Sequence, residues 1–360
     1  MTEAVLLVGG KGTRLRPLTV TTPKPLLPTA GVPFVHHQLA VLRAAGVEHV
    51  VLATSYRRED FRTGLGDGSA LGLRVEYVHE DEPRGTGGAI RNVSALLEGG
   101  PDDAVVVLNA DVLSGHDLIA QLAAHRAADA DVSLHLTEVA DPRAFGCVPI
   151  DDAGRVTAFL EKTPEPETNR INAGCYVFRR SVIDTIPPDR KVSVERETFP
   201  ALVSSGAHVL GFCEQAYWLD VGTPAAYVCG SRDLVLGVLP SAAMPGEPGE
   251  RLVLDGARVA ADAVVGGGSV VGEGAEIGPG ATVEGSIVMA GAVIGAGAVV
   301  RAGVLGAGAR IGSGVVVDNA VVGDRAQVGE GNELAAGARV WVDAVIPPYA
   351  IRFTPDEPSA

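Results

Sequence analysis

The chain has 360 residues, 46% of them hydrophobic, and it carries a formal net charge of -15. This length exceeds that of one typical domain, and the apolar content suffices for a buried core. An acidic chain lacks the broad basic face that a general binder of nucleic acids or anionic membranes needs. A small anionic substrate is not excluded, because a local cluster of Lys and Arg can bind one.

Segment lengths and cysteine spacing lead us to expect a cytoplasmic protein. The apolar run 4–8 is too short for a signal peptide, and the longest uncharged stretch, 285–300, is shorter than the ~20 residues of a membrane-spanning helix. The cysteines form no CxxC pair and have no His nearby at zinc-ligand spacing. We expect all of them to be buried, reduced thiols: Cys147, Cys175, Cys213 and Cys229.

The first 230 residues alternate strand-like and helix-like segments. Short apolar runs predict strands over residues 4–8, 49–54, 74–79 and 104–108. Helical spacing of apolar residues predicts helices over residues 36–45, 87–97 and 117–128. This alternation predicts an α/β domain with a Rossmann-like, mostly parallel sheet covered by helices on both faces. Such sheets bind ligands at the carboxyl ends of their strands.

Residues 231–250 predict a helix, over 231–238, followed by a proline-rich linker. From 251 to 345 aliphatic residues recur every six positions, many of them followed by Gly-x-Gly. This pattern is typical of a parallel β-helix whose coils stack on one another, so we expect a left-handed β-helix over 251–345 and a tail over 346–360. The period, with three shortenings by one residue, runs through Val253, Val259, Val265, Val271, Ile277, Val283, Met289, Ile294, Val300, Leu305, Ile311, Val317, Val322, Val328, Leu334 and Val340.

The first predicted strand leads into a glycine-rich loop. The loop and the segment after it contain three glycines and three cations: Gly9, Gly10, Gly12, Lys11, Arg14 and Lys24. Backbone N–H groups of such a loop can bind phosphate oxygens without obstruction by side chains. The spacing matches neither the Walker A loop nor the Rossmann dinucleotide motif. Glycines alone would fit a tight turn, but the added cations favour a triphosphate.

Residues 9–19 and 23–25 resemble the signature G-G-x-G-T-R-L-x-P-L-T followed by P-K-P of the sugar-1-phosphate nucleotidyltransferases, also called NDP-sugar pyrophosphorylases. Within that family the chain is most similar to the bacterial mannose-1-phosphate guanylyltransferases, and the similarity extends over nearly the whole chain. The resemblance implies transfer of GMP from GTP to mannose-1-phosphate, which gives GDP-mannose and pyrophosphate, with Mg²⁺ as cofactor. It also implies a direct in-line displacement that needs no protein nucleophile.

The resemblance further implies roles for individual residues. Arg14, Lys24 and Lys162 would be catalytic. Asp111 and Asp220 would hold Mg²⁺, which prefers hard carboxylate oxygens. The nucleotide would bind to Gly9, Gly10, Lys11, Gly12, Thr13, Glu80, Gly85 and Thr86. The sugar phosphate would bind to Gly146, Glu161, Lys162, Asn172 and Gly174.

Glu80 bears on the choice of base. Guanine presents two adjacent donors, N1–H and N2–H₂, which suit an acceptor-only carboxylate. Thymine, uracil and adenine do not present that pair, and thymidylyl members of the family tend to have Gln at the matching place. Glu80 therefore favours GTP, and a solvent-facing acid in an acidic loop is the alternative interpretation. Two departures from the family are Arg84, where Leu is common, and Ala110, where Gly is usual.

Three other functions compete with this one. A catalytically silent paralogue that binds GDP-mannose is disfavoured by the intact Arg14, Lys24, Asp111 and Asp220. A different specificity, such as thymidylyl or adenylyl transfer or guanylyl transfer to a cyclitol phosphate, stays open. An acyltransferase β-helix would use a His base, but every histidine lies at or before His208. We therefore expect the β-helix to serve assembly or regulation in a homo-oligomer, and the sequence assigns no role to the carboxylates of segment 194–199.

Overall fold

A computed structural model describes residues 2–54, 57–80 and 82–352. The chain divides into two compact units, the first formed by Met1–Gly10 and Gln38–Leu219, the second by Lys11–His37 and Asp220–Ala360. The segment that follows the first two signature glycines therefore belongs with the C-terminal part of the chain. The boundary drawn from the sequence at residue 230 stays a prediction. Across the described ranges, every helix is too short or too polar to cross a bilayer.

The elements before the β-helix are mostly short. The strands are β1 (Glu3–Leu7), β2 (Pro28–Thr29), β3 (Val32–Pro33), β4 (His49–Thr54), β5 (Arg74–His79), β6 (Ala104–Asn109), β7 (Val112–Ser114), β8 (Val132–Glu138), β9 (Gly146–Cys147), β10 (Leu160–Glu161), β11 (Arg170–Arg179), β12 (Val209–Cys213) and β13 (Trp218–Asp220). The α-helices are α1 (Leu18–Thr21), α2 (Phe34–Ala44), α3 (Arg58–Leu65), α4 (Gly85–Asn92), α5 (Leu118–Ala127), α6 (Arg180–Thr185), α7 (Phe199–Ser204) and α8 (Pro224–Val235). The 3₁₀ turns are Thr13–Leu15, Lys24–Leu26, Ser69–Leu71 and Ser94–Leu96, and Val194–Thr198 forms a π turn.

The first unit is built on a sheet with the strand order β10-β9-β11-β6-β1-β4-β5. Its centre, β6-β1-β4-β5, is entirely parallel, which confirms the predicted Rossmann-like sheet. Strand β11 runs antiparallel to β6 and also pairs with β8, so the remainder of the sheet is mixed. The central strands are continuous apolar runs because both of their faces are covered. Tyr176, Phe178 and Phe199 meet ring to ring in this core, with Tyr176 and Phe199 centroids 5.0 Å apart.

Two predicted helices differ from the observed ones. The segment predicted as one helix over 87–97 is α4 followed by a separate 3₁₀ turn. The helix predicted over 231–238 is α8, which begins seven residues earlier, at Pro224. The Thr223 hydroxyl caps it by accepting a hydrogen bond from Ala226 N at 3.2 Å. A Thr-Pro pair at a helix start is the signal that apolar spacing alone missed.

The second unit contains the predicted β-helix. Its strands form three parallel stacks, as expected for stacked coils, and they are consistent with the left-handed form. The strands are β14 (Arg251–Val253), β15 (Arg258–Val259), β16 (Val264–Gly266), β17 (Ser269–Val271), β18 (Glu276–Ile277), β19 (Thr282–Glu284), β20 (Ile287–Val288), β21 (Val293–Ile294), β22 (Val299–Arg301), β23 (Val304–Leu305), β24 (Arg310–Ile311), β25 (Val316–Asp318), β26 (Val321–Val322), β27 (Gln327–Val328), β28 (Glu333–Leu334), β29 (Arg339–Val340) and β30 (Val345–Ile346).

One residue of the predicted six-residue period is wrong. Val271 pairs with Val288, not with Met289, and Val288 then pairs with Leu305. The interval of five residues instead of six therefore lies between Val283 and Val288. Gly285, with φ +52°, forms the turn in this interval. The other two shortenings lie where the sequence predicted them. The inward-facing aliphatic side chains are buried in a continuous apolar core.

The stack β14-β17-β20-β23-β26-β29 also has an apolar outer face, which we call the outer column. Its members pair in register and are Leu252, Val270, Ile287, Val304, Val321 and Arg339. The five aliphatic members are between 0 and 8% exposed, whereas Arg339 is exposed. Helix α8 packs against β17 in this stack. Helix α8 therefore covers part of this face within the same unit.

The cysteines are free thiols, but they are not all buried as predicted. Cys147 and Cys175 are buried, Cys229 is half-buried and Cys213 is exposed. Cys213 ends β12, where the last residue of the strand leaves the core. Desolvation raises the pKa of all four thiols, so each is protonated at neutral pH.

Candidate active site

Three predicted site segments of the first unit follow parallel strands. Gly9 and Gly10 come after β1, Glu80 comes directly after β5, and Asp111 comes after β6. Because β1, β4, β5 and β6 are parallel, these residues lie at the carboxyl edge of one sheet. That edge is where α/β sheets bind ligands. Gly9 and Gly10 are exposed there, and a Cβ on Gly10 would meet no atom within 4 Å.

Glu80 is buried at this edge, being only 5% exposed. Its backbone N–H donates to Thr54 O at 2.8 Å, and its Oε2 accepts from Arg84 N at 3.3 Å. Oε1 is buried and has no hydrogen-bond partner among the described residues. Desolvation raises the pKa of the Glu80 carboxyl. An unsatisfied buried acceptor is costly, and this makes Glu80 Oε1 a candidate acceptor for a ligand donor.

Gly85 and Thr86 begin α4 beside the π turn Val194–Thr198. Gly85 has φ +73°, and a Cβ there would stand 2.5 Å from Val192 O, so only glycine fits. The Thr86 hydroxyl donates to Glu195 Oε2 at 2.7 Å and accepts from Val194 N at 2.9 Å. The Thr86 side chain is thus held by the turn that follows residue 193.

The same contacts give Glu195 and Glu197 the roles that the sequence left open. Glu195 Oε2 accepts from the Ser193 hydroxyl, at 2.7 Å, as well as from Thr86. Glu197 Oε1 accepts from Ser193 N at 3.0 Å, and the Ser193 hydroxyl accepts from Arg196 N at 3.2 Å. Ser193 and Glu197 thereby cap the turn reciprocally. A Ser followed by Glu within one turn is the sequence signal that could have identified the cap.

The predicted sugar-phosphate residues Gly146, Glu161 and Lys162 lie together. Gly146 pairs directly with Glu161 across the antiparallel strands β9 and β10. A Cβ on Gly146 would lie 3.0 Å from Glu161 Oε2 and 2.8 Å from the ring of Phe159, so the carboxylate faces the bare backbone. Lys162 Nζ stands 3.5 Å from Glu161 Oε1. Lys162 also has φ +53°, a conformation that costs a non-glycine residue energy and often marks functional sites.

Asn172 and Gly174 form a bulge in β11. Gly174 has φ +81°, and a Cβ there would approach Asn109 Nδ2 to 3.0 Å. Asn172 Oδ1 accepts from Gly174 N at 3.1 Å, and its Nδ2 donates to the Tyr176 hydroxyl at 2.8 Å. The Asn172 amide therefore shapes the bulge and keeps one further N–H that can donate to a ligand.

In the second unit, the signature continues as a compact loop. Gly12 adopts φ +55° and its carbonyl accepts from Leu15 N at 2.9 Å and from the Thr19 hydroxyl at 2.8 Å. A Cβ on Gly12 would lie 3.0 Å from the Thr19 methyl and 3.2 Å from Lys24 Cβ. Lys11 is exposed ahead of this loop, and Thr13 opens the 3₁₀ turn that ends at Leu15.

Arg14 and Asp220 both approach the position that a side chain of Gly222 would occupy. A Cβ on Gly222 would stand 2.6 Å from Arg14 Nη2 and 3.1 Å from Asp220 Oδ1. Because Gly222 has no side chain, the Arg14 guanidinium and the Asp220 carboxylate can both occupy this space. The proposed metal ligands, Asp111 and Asp220, both offer the hard oxygen donors that Mg²⁺ prefers. No group of three or more His, Cys, Asp or Glu side chains suited to a metal occurs within residues 2–54, 57–80 and 82–352.

Comparison with known proteins identifies the family. The Nucleotidyl transferase family model matches residues 3–235. The chain belongs to the nucleotidyl transferase family. A second model, the GMPPB C-terminal domain, matches residues 248–341 and covers the β-helix of this nucleotidyl transferase.

Curated relatives of this nucleotidyl transferase share one name. The chain is 57% identical over 267 residues to the mannose-1-phosphate guanylyltransferase of Mycobacterium tuberculosis, covering 74% of each chain. It is 37% identical to the mannose-1-phosphate guanylyltransferase catalytic subunit beta of Drosophila pseudoobscura pseudoobscura, over 64% of this chain and 61% of that protein. The chain therefore matches less than two thirds of the length of the Drosophila relative.

Solved structures share the nucleotidyl transferase fold. HddC from Yersinia pseudotuberculosis is 29% identical, with a TM-score of 0.56 over 65% of this chain and 100% of that chain. The same protein complexed with GMP-PN is 28% identical, with a TM-score of 0.55 over the same shares.

Proposed function

We propose that this chain is a mannose-1-phosphate guanylyltransferase, which transfers GMP from GTP to mannose-1-phosphate and releases pyrophosphate. The 57% identity to the mycobacterial enzyme of that name is the single observation that carries the proposal. The GMPPB C-terminal domain over residues 248–341 supports it independently, because that match lies outside the region shared by nucleotidyl transferases in general.

The buried carboxylate of Glu80 supports the choice of a guanine nucleotide. A guanine ring offers N1–H and N2–H₂ side by side, and Glu80 has one buried acceptor oxygen without a partner among the described residues. A relative solved with GMP-PN is consistent with this choice. Gly9, Gly10, Lys11, Gly12, Thr13, Gly85 and Thr86 would bind the phosphates and ribose through backbone and hydroxyl groups.

The reaction is an in-line displacement in which a phosphate oxygen of mannose-1-phosphate attacks the α-phosphorus of GTP. The phosphoanhydride bond to the β-phosphate breaks, and pyrophosphate leaves with the electron pair. Arg14 neutralises charge on the leaving phosphates, Lys24 stabilises charge at the α-phosphate, and Lys162 holds the attacking phosphate. Catalysis is thus positioning and charge neutralisation, since the nucleophile is already an anion.

The sugar phosphate would bind at Gly146, Glu161, Asn172 and Gly174. Glu161 accepts hydrogen bonds from sugar hydroxyls while its partner Lys162, 3.5 Å away, binds the phosphate. Bound at Asp111 and Asp220, Mg²⁺ would supply positive charge to the triphosphate. We also propose that the protein is cytoplasmic and forms a homo-oligomer through its β-helix.

A pyrophosphate-release assay tests the proposal. GTP, dTTP, ATP and UTP are each paired with mannose-1-phosphate and with glucose-1-phosphate, with Mg²⁺ present or removed by EDTA. We expect rapid release only with GTP, mannose-1-phosphate and Mg²⁺. A preference for another pair would replace the assigned specificity, and no release with any pair would favour the silent GDP-mannose-binding paralogue.

Two variants separate chemistry from folding in that assay. Arg14→Ala and Asp220→Ala should each lower turnover by a factor on the order of 10² or more, because each removes a charge that acts at the reacting phosphates. Their melting temperatures should stay close to that of the wild type. Near-normal turnover in either variant would remove that residue from the mechanism.

A further inference from the structure

We propose that Arg339, on the β-helix, is a positioning residue that holds the Arg14 turn in its catalytic conformation. The inference rests on the proposed function in one respect, namely that Arg14 acts on the triphosphate. Both residues belong to the second unit, although 325 positions separate them in the chain.

The contact joins one side-chain nitrogen to two backbone carbonyls. Arg339 Nη1 donates to Arg14 O at 2.8 Å and to Arg16 O at 2.8 Å. These carbonyls flank Leu15, the buried last residue of the 3₁₀ turn that presents Arg14. Hydrogen bonds from a charged donor are stronger than neutral ones, and two acceptors on one nitrogen fix the local path of the backbone.

A second β-helix side chain holds the next part of the loop. The Thr21 hydroxyl, at the end of α1, donates to Asp324 Oδ2 at 2.5 Å. Asp324 is only 7% exposed, and its other oxygen accepts from Ala307 N at 2.9 Å. The carboxylate is therefore fixed within the β-helix before it meets Thr21.

The loop needs such anchors because its own elements are too short to be rigid. The turn Thr13–Leu15 has three residues and α1 has four, and isolated 3₁₀ or α turns of this length are marginal in water. In contrast, the β-helix is hydrogen-bonded along three continuous stacks. When the loop is fixed to the β-helix, Arg14 loses less conformational entropy on reaching the transition state.

The position of Arg339 in the outer column separates this role from a role in stability. The other members of the column are aliphatic, and Arg339 pairs in register with Val321, so the stack accommodates a β-branched residue at this position. Arg339 itself is exposed, and exposed charges contribute little to stability. The arginine therefore accounts for the contact with the loop and not for the folding of the coil.

The test is Arg339→Val, which restores the residue type of the column and removes the donor. We expect kcat/KM for GTP to fall by about 10- to 100-fold while the melting temperature stays within about 2 °C. Thr21→Val should also lower kcat/KM for GTP, by a smaller factor. Arg339→Lys should lose less activity than Arg339→Val, because one nitrogen makes both hydrogen bonds. The matched control is Arg310→Val, since Arg310 is also exposed and also begins a two-residue strand. Turnover of Arg339→Val within twofold of Arg310→Val overturns the proposal.

A double-mutant cycle tests whether Arg339 acts through Arg14. In an Arg14→Lys background, which keeps a cation at this position, Arg339→Val should lower kcat/KM for GTP by a much smaller factor than in the wild type. An equal loss in both backgrounds would show an independent effect and overturn the proposal. Failure of the proposed function gives a different result, because the wild type itself would then release no pyrophosphate from GTP and mannose-1-phosphate.

Discussion

The Arg14 guanidinium packs against the bare backbone of Gly222, 2.6 Å from the place where a side chain would begin. Gly222 does not have a positive φ, so its glycine is required by this contact and not by backbone conformation. The neighbouring Asp220 Oδ1 would lie 3.1 Å from the same added atom. Gly222 thus leaves room for both the guanidinium of Arg14 and the carboxylate of Asp220, two proposed site residues.

Gly222→Ala should therefore displace the Arg14 side chain without unfolding the protein. The clash is with the end of a flexible side chain, so stability should change by less than about 1 kcal/mol. Turnover should fall by a factor on the order of 10². Steady-state kinetics and thermal melting measure the two effects. Gly266→Ala is the control, because a Cβ there meets nothing within 4 Å, and a variant at 222 that behaves like it would contradict the contact.

Glu80→Gln should lower kcat/KM for GTP and flatten its pH dependence. The ionised carboxylate is the form that accepts both guanine donors, and burial raises its pKa. The KM of the wild type for GTP should therefore rise on acidification. This rise should begin at a higher pH than it would if the carboxyl had the pKa of an ordinary glutamate. Michaelis constants measured across the acid range decide this. The exposed Glu82 provides the control variant Glu82→Gln, whose KM for GTP should depend on pH as that of the wild type does.

Glu80→Gln, which should lower activity, should raise stability. A folded-state pKa raised above the unfolded value means that ionised Glu80 destabilises the fold at neutral pH and that the cost disappears at low pH. Glu80→Gln should therefore be more stable than the wild type at pH 7, and the difference should vanish below the pKa of an unfolded glutamate. Denaturant unfolding at the two pH values measures it, and equal stability at both would contradict the burial of an ionised group.

Lys162→Gly should separate strain from binding. The left-handed backbone of Lys162, φ +53°, favours glycine, so stability should rise by up to about 1 kcal/mol. The KM for mannose-1-phosphate should rise strongly because the ammonium group is lost. Ala336→Gly relieves a similar conformation, φ +54°, in the β-helix and should stabilise without changing kinetics. Unchanged KM in Lys162→Gly would exclude Lys162 from the sugar-phosphate site.

His135 should make the protein sensitive to acid. It is 1% exposed, it stacks on His116 with centroids 4.1 Å apart, and desolvation lowers its pKa to about 3. The unfolded chain binds the proton more tightly, so stability is complete above pH 6.5 and falls as the pH drops towards 3. Between pH 7 and pH 4 this group should cost about 3 kcal/mol.

His135→Phe keeps the stacked ring and removes the titrating group. Its unfolding free energy should depend less steeply on pH between 6.5 and 4 than that of the wild type. His208→Asn, at a half-buried position, is the comparison variant. If the unfolding free energies of all three proteins fall equally steeply between pH 6.5 and 4, His135 is excluded as a source of the acid sensitivity.

The sequence by itself determined the elements that local chemistry governs. Strands β4 and β5 follow from short apolar runs, because a strand covered on both faces is continuously apolar. The β-helix follows from its aliphatic period, because side-chain direction repeats with every coil of a solenoid. The glycines at 12, 85 and 174 were also visible in the sequence, and each adopts a positive φ. Met289 was misplaced because a one-residue shortening can be absorbed at any corner of a coil, and only strand register fixes which one.

Only the tertiary structure decided how distant segments meet. The assignment of 11–37 to the unit of the β-helix, the contact of Arg339 with the Arg14 turn and the packing of Arg14 on Gly222 join residues that lie more than 200 positions apart. The burial of Glu80, on which its proposed role as a nucleotide acceptor rests, likewise depends on neighbours that the local sequence does not specify. Hydrogen-bond geometry and desolvation act through space, so spacing along the chain predicts which groups are present but not which of them meet.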